Sequence, residues 1–378
     1  MLSRAEVWYP LRVKYCGECW LVQTEDFADR ETFFSEDYAY FSSMSASWLD
    51  HAEHYARAMT DKFGITSGSM VVEIASNDGY LLKNFQADGV PCLGVEPTLA
   101  CAQAAKEIGI ETVVEFFGVE LAQKLIASGH RADLMAANNV LAHVPDINDF
   151  VAGFRELLKE QGVATFEFPH FLNLVQQNQF DTIYHEHYSY LSLTAVKTIF
   201  KANGLSIFDV EQMGTHGGSL RVFAQRTDTG GHNITENPAR ILALEENSGI
   251  KTHEFYAGFQ QKTNKVKDDF LKFLLAAKSS GKKVAAYGAA AKGNTLINFA
   301  GIRPDLIAFV VDKNPHKIGL YLPGSLIPIV GEDLIRREKL DIVVILPWNL
   351  KAEITSQLDY IHEWGGKFAV AVPELKVE

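Results

Sequence analysis

One short stretch limits the fold more than any other: residues 71–82, Val-Val-Glu-Ile-Ala-Ser-Asn-Asp-Gly-Tyr-Leu-Leu. An apolar run ends in an acidic residue, passes through a small polar turn, and re-enters an apolar segment. A buried parallel strand that feeds a helix through a ligand-binding loop has this pattern. The turn is Ser-Asn-Asp-Gly, not Gly-x-Gly-x-x-Gly. A glycine-rich turn lets backbone N–H groups approach a pyrophosphate. Here Glu73, Ser76, Asn77 and Asp78, with Gly79 beside them, present acceptors instead.

Acceptors suit a ligand with hydroxyls, an ammonium and a positive sulfur, which describes S-adenosylmethionine. A second apolar run over 91–95 ends at Glu96, about 20 residues on, where an acidic residue holds ribose hydroxyls in doubly wound folds. A third run over 132–137 ends in Asn138 and Asn139, with His143 shortly after. The three strand ends are expected to line one crevice at the carboxyl edge of a parallel sheet. An NAD(P)-dependent oxidoreductase is the rival from another class, with residues 288–293 and Asp312 as its dinucleotide fingerprint; that loop lacks the usual glycine pattern.

The length of 378 residues allows two domains and a small appendage. A 47 % hydrophobic and 22 % charged composition is that of an ordinary globular protein. No apolar run approaches the roughly 20 residues that span a bilayer. The first residues lack a long apolar stretch, so cytoplasm is the expected compartment. A net charge of −12 argues against a nucleic-acid polymer as partner, though a small anion needs only local cations. Cys92 and Cys101 fall on a predicted strand and helix and read as buried thiols. Cys16 and Cys19 form a Cys-x-x-Cys pair.

Residues 1–47 read as a β-rich appendage, 48–228 as an α/β cofactor domain with an inserted catalytic stretch, and 229–378 as a second α/β domain. A helix over 48–63 is stopped by Gly64. Residues 227–237 are turn-rich, with Gly230-Gly231 and Asn237-Pro238, and mark the boundary. A single long helix is expected over 253–279. The fold class is therefore α/β: a Rossmann-like methyltransferase domain, a second Rossmann-like domain, and the appendage.

Six motifs occur in order: Asp37-Tyr38-Ala39-Tyr40, residues 73–79, residues 138–144, Tyr184-His185-Glu186-His187-Tyr188-Ser189-Tyr190, His216-Gly217-Gly218-Ser219-Leu220-Arg221, and residues 287–294. Together they resemble the nucleotide-sugar C-methyltransferases of deoxysugar biosynthesis, over essentially the whole chain. The resemblance implies methyl transfer from S-adenosylmethionine to C-3′ of a dTDP-linked 4-keto-deoxysugar. An N- or O-methyltransferase acting on a related small molecule is the alternative that keeps the cofactor. Members of the family begin with a zinc domain holding two Cys-x-x-Cys pairs. This sequence shows Cys16 and Cys19 alone, half of a tetrahedral set. Either the chain is N-terminally short, or the appendage folds without zinc or borrows other ligands.

Methylating carbon beside a ketone requires an enolate, hence a general base and donors for the oxyanion. The resemblance gathers His187, Glu186, Tyr184, Tyr38 and His143 in that pocket. His187 leads as the base, since a neutral imidazole is competent near pH 7. Glu186 orients it or contacts the sugar, and Tyr184, Tyr38 and His143 are candidates for the ketone oxygen. Which group takes the proton does not follow from sequence. His216, Gly217, Gly218, Ser219 and Arg221 offer a sharp turn and a guanidinium fork to a diphosphate. Lys292 and Asn294, at the start of a helix, add charge and amides. A Walker A loop is excluded, because the lysine precedes the second glycine. The expected partner is a nucleotide-linked ketosugar, with no membrane and a monomer or weak oligomer.

Overall fold

The computed structural model describes residues 5–27 and 41–378, apart from the side chain of His216. The chain divides into two compact units. The first takes Val13–Phe171 and Glu186–Lys251; the second takes Met1–Arg12, Leu172–His185 and Thr252–Glu378.

In the first unit the hairpin β1 (Val13–Tyr15) and β2 (Val22–Thr24) is antiparallel. Helix Ala46–Phe63 follows, started by Ser45, whose hydroxyl accepts the Trp48 N–H, and stopped by Gly64 in the left-handed region at φ 62°. Ala52, Tyr55, Ala56 and Met59 recur at helical spacing and form its buried stripe. Then come β3 (Val71–Ile74), β4 (Cys92–Val95), β5 (Thr112–Val113), β6 (Ala132–Asn138) and β7 (Leu158–Pro169). β8 (Ser189–Tyr190), β9 (Leu205–Met213) and β10 (Ser219–Arg226) complete the unit's strands. A seven-stranded sheet forms in the order β5-β4-β3-β6-β7-β10-β9. β3 to β7 are mutually parallel where they pair, and β10 runs antiparallel to both neighbours. β3 is buried along its length, as a central parallel strand covered on both faces must be.

One apolar cluster joins helices Val119–Ala127, Ile147–Leu157 and Leu193–Ala202 to one face of this sheet. Another joins helices Ala46–Phe63 and Leu82–Ala87 to the opposite face. The chain leaves β3 to build β4 and β5 on one side, then returns to add β6 on the other. That switch point lies at the carboxyl ends of β3 and β6, where open α/β sheets bind ligands.

The second unit carries β11 (Val284–Tyr287), β12 (Val310–Val311), β13 (Ile329–Val330), β14 (Ile342–Ile345), β15 (Lys367–Val370) and β16 (Lys376–Val377). Their order is β13-β12-β11-β14-β15-β16, parallel except for β16.

Two segments depart from the expected pattern. Helix Asn237–Asn247 starts at the Asn237-Pro238 pair read as a turn, because proline is tolerated in a helix's first turn. It belongs to the first unit, whose last residue is Lys251. The expected long helix is two helices, His253–Tyr256 and Phe259–Ser279, separated by Gly258 at φ 80°.

Candidate active site

The loop after β3 is held in an unusual shape. Ala75 (φ 57°), Asn77 (φ 49°) and Gly79 (φ 77°) all occupy the left-handed region. Non-glycine residues there are strained, and such strain persists where surroundings over-determine it. Glu96 supplies much of that hold. One of its carboxylate oxygens accepts the Asn77 N–H at 2.9 Å; the other accepts the Thr98 N–H at 2.8 Å and its hydroxyl at 2.5 Å. The Asn77 side-chain oxygen accepts the Ser42 N–H at 2.8 Å, and Asp78 accepts the Ser43 N–H at 3.1 Å. Gly94 is required by close approach: a Cβ there would lie 2.5 Å from Ser76 Oγ.

Among the described residues several buried polar atoms at this edge have no hydrogen-bond partner: Glu73 Oε2, Ser76 Oγ, Asp78 Oδ1, and both amide atoms of Asn138. Leaving such atoms unpaired costs about 1–3 kcal/mol each, so they fit a ligand that supplies both donors and acceptors. The ammonium, carboxylate and hydroxyls of S-adenosylmethionine do so. Burial pushes the Glu73 carboxyl well above its usual range, with Asp78 and Glu96 adding to the rise against the Tyr80 hydrogen bond. Burial also raises Glu96, against the bonds from Thr98 and Asn77. The structure modifies the reading of Glu96. Both its oxygens are engaged by the protein, so it shapes the loop.

The imidazoles of His143 and His187 lie together, ring centroids 4.6 Å apart and nearly perpendicular. His143 closes the 3-10 turn Leu141–His143 after β6, and His187 sits just before β8. Burial lowers His143 to about 4, against a hydrogen bond to the Glu186 backbone, so it is neutral at pH 7. Burial raises Glu186. The loop is tied from both sides: Thr24 Oγ donates to the His187 carbonyl at 2.8 Å, and the Tyr188 N–H to the Ala142 carbonyl at 2.8 Å. Asn139 continues the β6 end, its N–H bonded to the Glu167 carbonyl at 2.8 Å.

Arg221 does not present its fork to solvent. Its Nε donates to Glu167 at 2.6 Å and its Nη1 to Glu211 at 3.2 Å, while the guanidinium lies 4.9 Å from the Tyr55 ring centroid. The donors assigned to phosphate are engaged by carboxylates, because β7, β9 and β10 put acidic side chains in register with it. His51 joins from helix Ala46–Phe63, its Nε2 2.8 Å from Glu167, with the Trp48 ring stacked on it at 4.7 Å. Sequence reasoning missed His51, Glu167, Trp48 and Tyr80; only the helical placing of Trp48 and His51 one turn apart hinted at them. His216 and Gly217 lie in the turn Thr215–Gly217, Gly218 follows at φ 109°, and the Ser219 hydroxyl donates to the Thr215 carbonyl at 2.9 Å. Tyr38 lies outside the described residues.

Tyr184 belongs to the second unit, with Lys292 and Asn294. Lys292, next to the start of helix Ala291–Phe299, donates to the Asn349 side chain at 3.0 Å and lies 4.8 Å from the Trp348 ring centroid. Trp348 Nε1 donates to Asp181 at 2.8 Å. Burial lowers Lys292, against the pull of Asp181. The side-chain oxygen of Asn294 accepts from Asn298 at 3.1 Å.

Cys92 and Cys101 are thiols that burial pushes up to about 12 and about 11. Cys16 and Cys19 are free thiols. Backbone N–H groups of Cys19 and Glu18 lower Cys16, whereas burial raises Cys19. Among the described residues no group of three or more ligating side chains surrounds them. They supply two of the four ligands a structural zinc needs, so the described residues do not complete a site. Among the same residues no helix is long and apolar enough to cross a membrane.

A parallel sheet with a reversed strand beside β7, and an acceptor-lined crevice at its switch point, defines a methyltransferase that uses S-adenosylmethionine. Family models match in three segments: "Putative zinc binding domain" over 1–34, "Methyltransferase domain" over 48–210 and "C-methyltransferase C-terminal domain" over 214–373. The C-methyltransferase NovU of Streptomyces niveus is 33 % identical over 372 residues, covering 98 % of this chain and 88 % of that protein. This chain belongs to the C-methyltransferase family, and the oxidoreductase, N- and O-methyl alternatives fall away. Among solved structures, the PH0226 protein of Pyrococcus horikoshii OT3 is 15 % identical, spans 50 % of this chain and 94 % of its own, and has a TM-score of 0.41. Magnesium protoporphyrin IX methyltransferase of Synechocystis PCC 6803, with bound S-adenosylmethionine, gives 15 %, 52 %, 88 % and 0.37. Neither adds to the assignment.

Proposed function

We propose that the acceptor is C-3′ of a dTDP-linked 4-keto-deoxysugar, methylated in deoxysugar biosynthesis. The observation that carries this reading is the His143–His187 pair, with rings 4.6 Å apart at the carboxyl edge of the first sheet. Carbon methylation needs a base held in a fixed position, and a neutral imidazole packed against a second one supplies that hold without adding a charge. S-adenosylmethionine supplies the electrophilic methyl group. His187 takes the proton from the carbon next to the ketone, and the electron pair left behind is delocalised onto the ketone oxygen. His143, held neutral by burial with its one N–H on the Glu186 backbone carbonyl, packs against the His187 ring and positions it. The new C–C bond forms as the methyl–sulfur bond breaks, and the proton on His187 leaves to solvent. Tyr184 and Tyr38 keep the roles that the family resemblance gives them as partners of the oxygen. Lys292 and Asn294 are assigned to the diphosphate, and Arg221 is withdrawn from that role.

Replacing His187 tests the reading. His187→Asn is expected to lower turnover ~100-fold or more, the usual yield of general-base catalysis. Its calorimetric affinity for S-adenosylmethionine should be unchanged. Turnover at the level of the unmodified enzyme would dismiss His187 as the base. Exchange of the C-3′ proton of bound ketosugar into deuterated water, in the presence of S-adenosylhomocysteine, checks the enolate independently of methyl transfer.

A further inference from the structure

Helix Asn237–Asn247 ends near Glu245, a carboxylate with 0 % exposure that no assigned role uses. It meets four groups. One oxygen lies 2.7 Å from His170 Nε2 and accepts the Leu193 N–H at 2.7 Å; the other accepts the Thr194 N–H at 2.8 Å and the Thr194 hydroxyl at 2.6 Å. Leu193 and Thr194 open helix Leu193–Ala202, and the Ser192 hydroxyl accepts the Ala195 N–H at 3.1 Å. Every N–H of that helix's first three residues is therefore answered, two of them by one anion at the positive end of the helix dipole.

The segment just before this helix carries Glu186, His187 and Tyr190. Its early part is fixed by Thr24 and Ala142, and its late part by the Phe171 N–H, which donates to the Leu191 carbonyl at 3.0 Å. His170, the other group on Glu245, donates its own N–H to the Gly218 carbonyl at 3.0 Å. One buried carboxylate thus joins the exit of the His187 loop to the chain beyond β7.

We propose that Glu245 is a positioning residue for methyl transfer, holding the start of helix Leu193–Ala202 so that the loop ending there sets His187 against His143. The inference rests on the assignment of His187 as the base. Glu245→Gln puts an amide NH2 against donors that a carboxylate alone can satisfy. A misplacement of about 1 Å in a catalytic group costs up to 100-fold. The kcat of Glu245→Gln is accordingly expected to fall ~10- to 100-fold. Proton exchange at the ketosugar carbon should fall in step, and S-adenosylmethionine affinity should stay within twofold. Thr194→Ala removes the hydroxyl bond and leaves both backbone bonds, so its kcat should fall ~3- to 10-fold. It decides the matter should Glu245→Gln not fold. Variants that melt earlier but turn over at the normal rate per folded molecule would overturn the proposal, since a purely structural clamp changes stability alone. His187→Asn, assayed beside them, separates the two readings. Normal turnover there removes the base assignment, whereas loss there with normal kcat in Glu245→Gln and Thr194→Ala removes the clamp alone.

Discussion

Asp181 keeps one carboxyl oxygen on the Trp348 indole N–H, while the other, at 0 % exposure, has no hydrogen-bond partner among the described residues. Burial pushes this acid up to about 7 from an ordinary 3.8, with the Lys292 charge and the indole bond pulling the other way. A folded-state pKa above the unfolded one means the folded protein binds the proton more tightly. The site's contribution is therefore full below the ordinary carboxylate range and is lost as pH rises toward 7, by up to about 4 kcal/mol. Asp181→Asn removes that dependence: its gain in melting temperature should be larger at pH 8 than at pH 5. Melting curves that run parallel to the unmodified protein across that interval would refute it. Glu96 yields a second prediction. Hydrogen bonds to a charged group are worth about 1.5–3 kcal/mol, so Glu96→Ala should weaken S-adenosylmethionine binding ~10-fold or more and leave sugar binding alone. An unchanged calorimetric constant would count against its place in the site. The acceptor-rich turn was legible because its residues are contiguous. Ser42, His51 and Glu167 were not, since hydrogen bonds between distant parts of a chain leave no periodic trace in it.

Strands and helices with a strong apolar period came through clearly, because burial on one face or both imposes that period. The stretch over 71–82 became β3, its turn and the start of a helix, as its composition requires. Context overruled local signals elsewhere. Asn237-Pro238 looks like a turn, yet Pro238 and Ile241 are buried in the helix that bears Glu245. Arg221 looks like a phosphate fork, yet strand register sets it between Glu167 and Glu211. At Gly79 the requirement is local and severe. Its φ is 77°, and an added Cβ would sit 3.0 Å from Ile110 Cγ1 and 3.1 Å from Ile108 Cδ1. A left-handed alanine costs roughly 1–2 kcal/mol before any clash, and each kcal/mol lowers the melting temperature of a domain this size by about 2–4 °C. Gly79→Ala should melt several degrees earlier and bind S-adenosylmethionine more weakly. A variant unchanged in both would show that the loop tolerates another conformation.

Taken as a chain, the protein does not keep its N-terminal strands to a separate appendage. β2 pairs with β8, with Val22 opposite Tyr190 and Gln23 opposite Ser189, which makes a three-stranded sheet out of a hairpin and the segment beside His187. The sequence could suggest both partners but not their union, because β8 has two residues and no period to read. A hairpin alone is marginal in water, and a third strand is the usual remedy. Here that third strand is also the exit from His187, so order in the hairpin and order in the loop depend on each other. Thr24 makes the dependence testable. Its N–H donates to the Tyr188 carbonyl at 3.1 Å and its hydroxyl to the His187 carbonyl at 2.8 Å. Thr24→Val keeps the β-branched shape and the backbone bond, and removes the hydroxyl bond alone. A bond of this kind is worth about 0.5–1.5 kcal/mol, so kcat should fall ~3- to 10-fold if the loop's position governs proton transfer. The affinity for S-adenosylmethionine, which we assign to the loops after β3 and β4, should not move. An unaltered kcat would mean that the β2–β8 ladder and the Tyr188–Ala142 bond are enough to hold the imidazole in place.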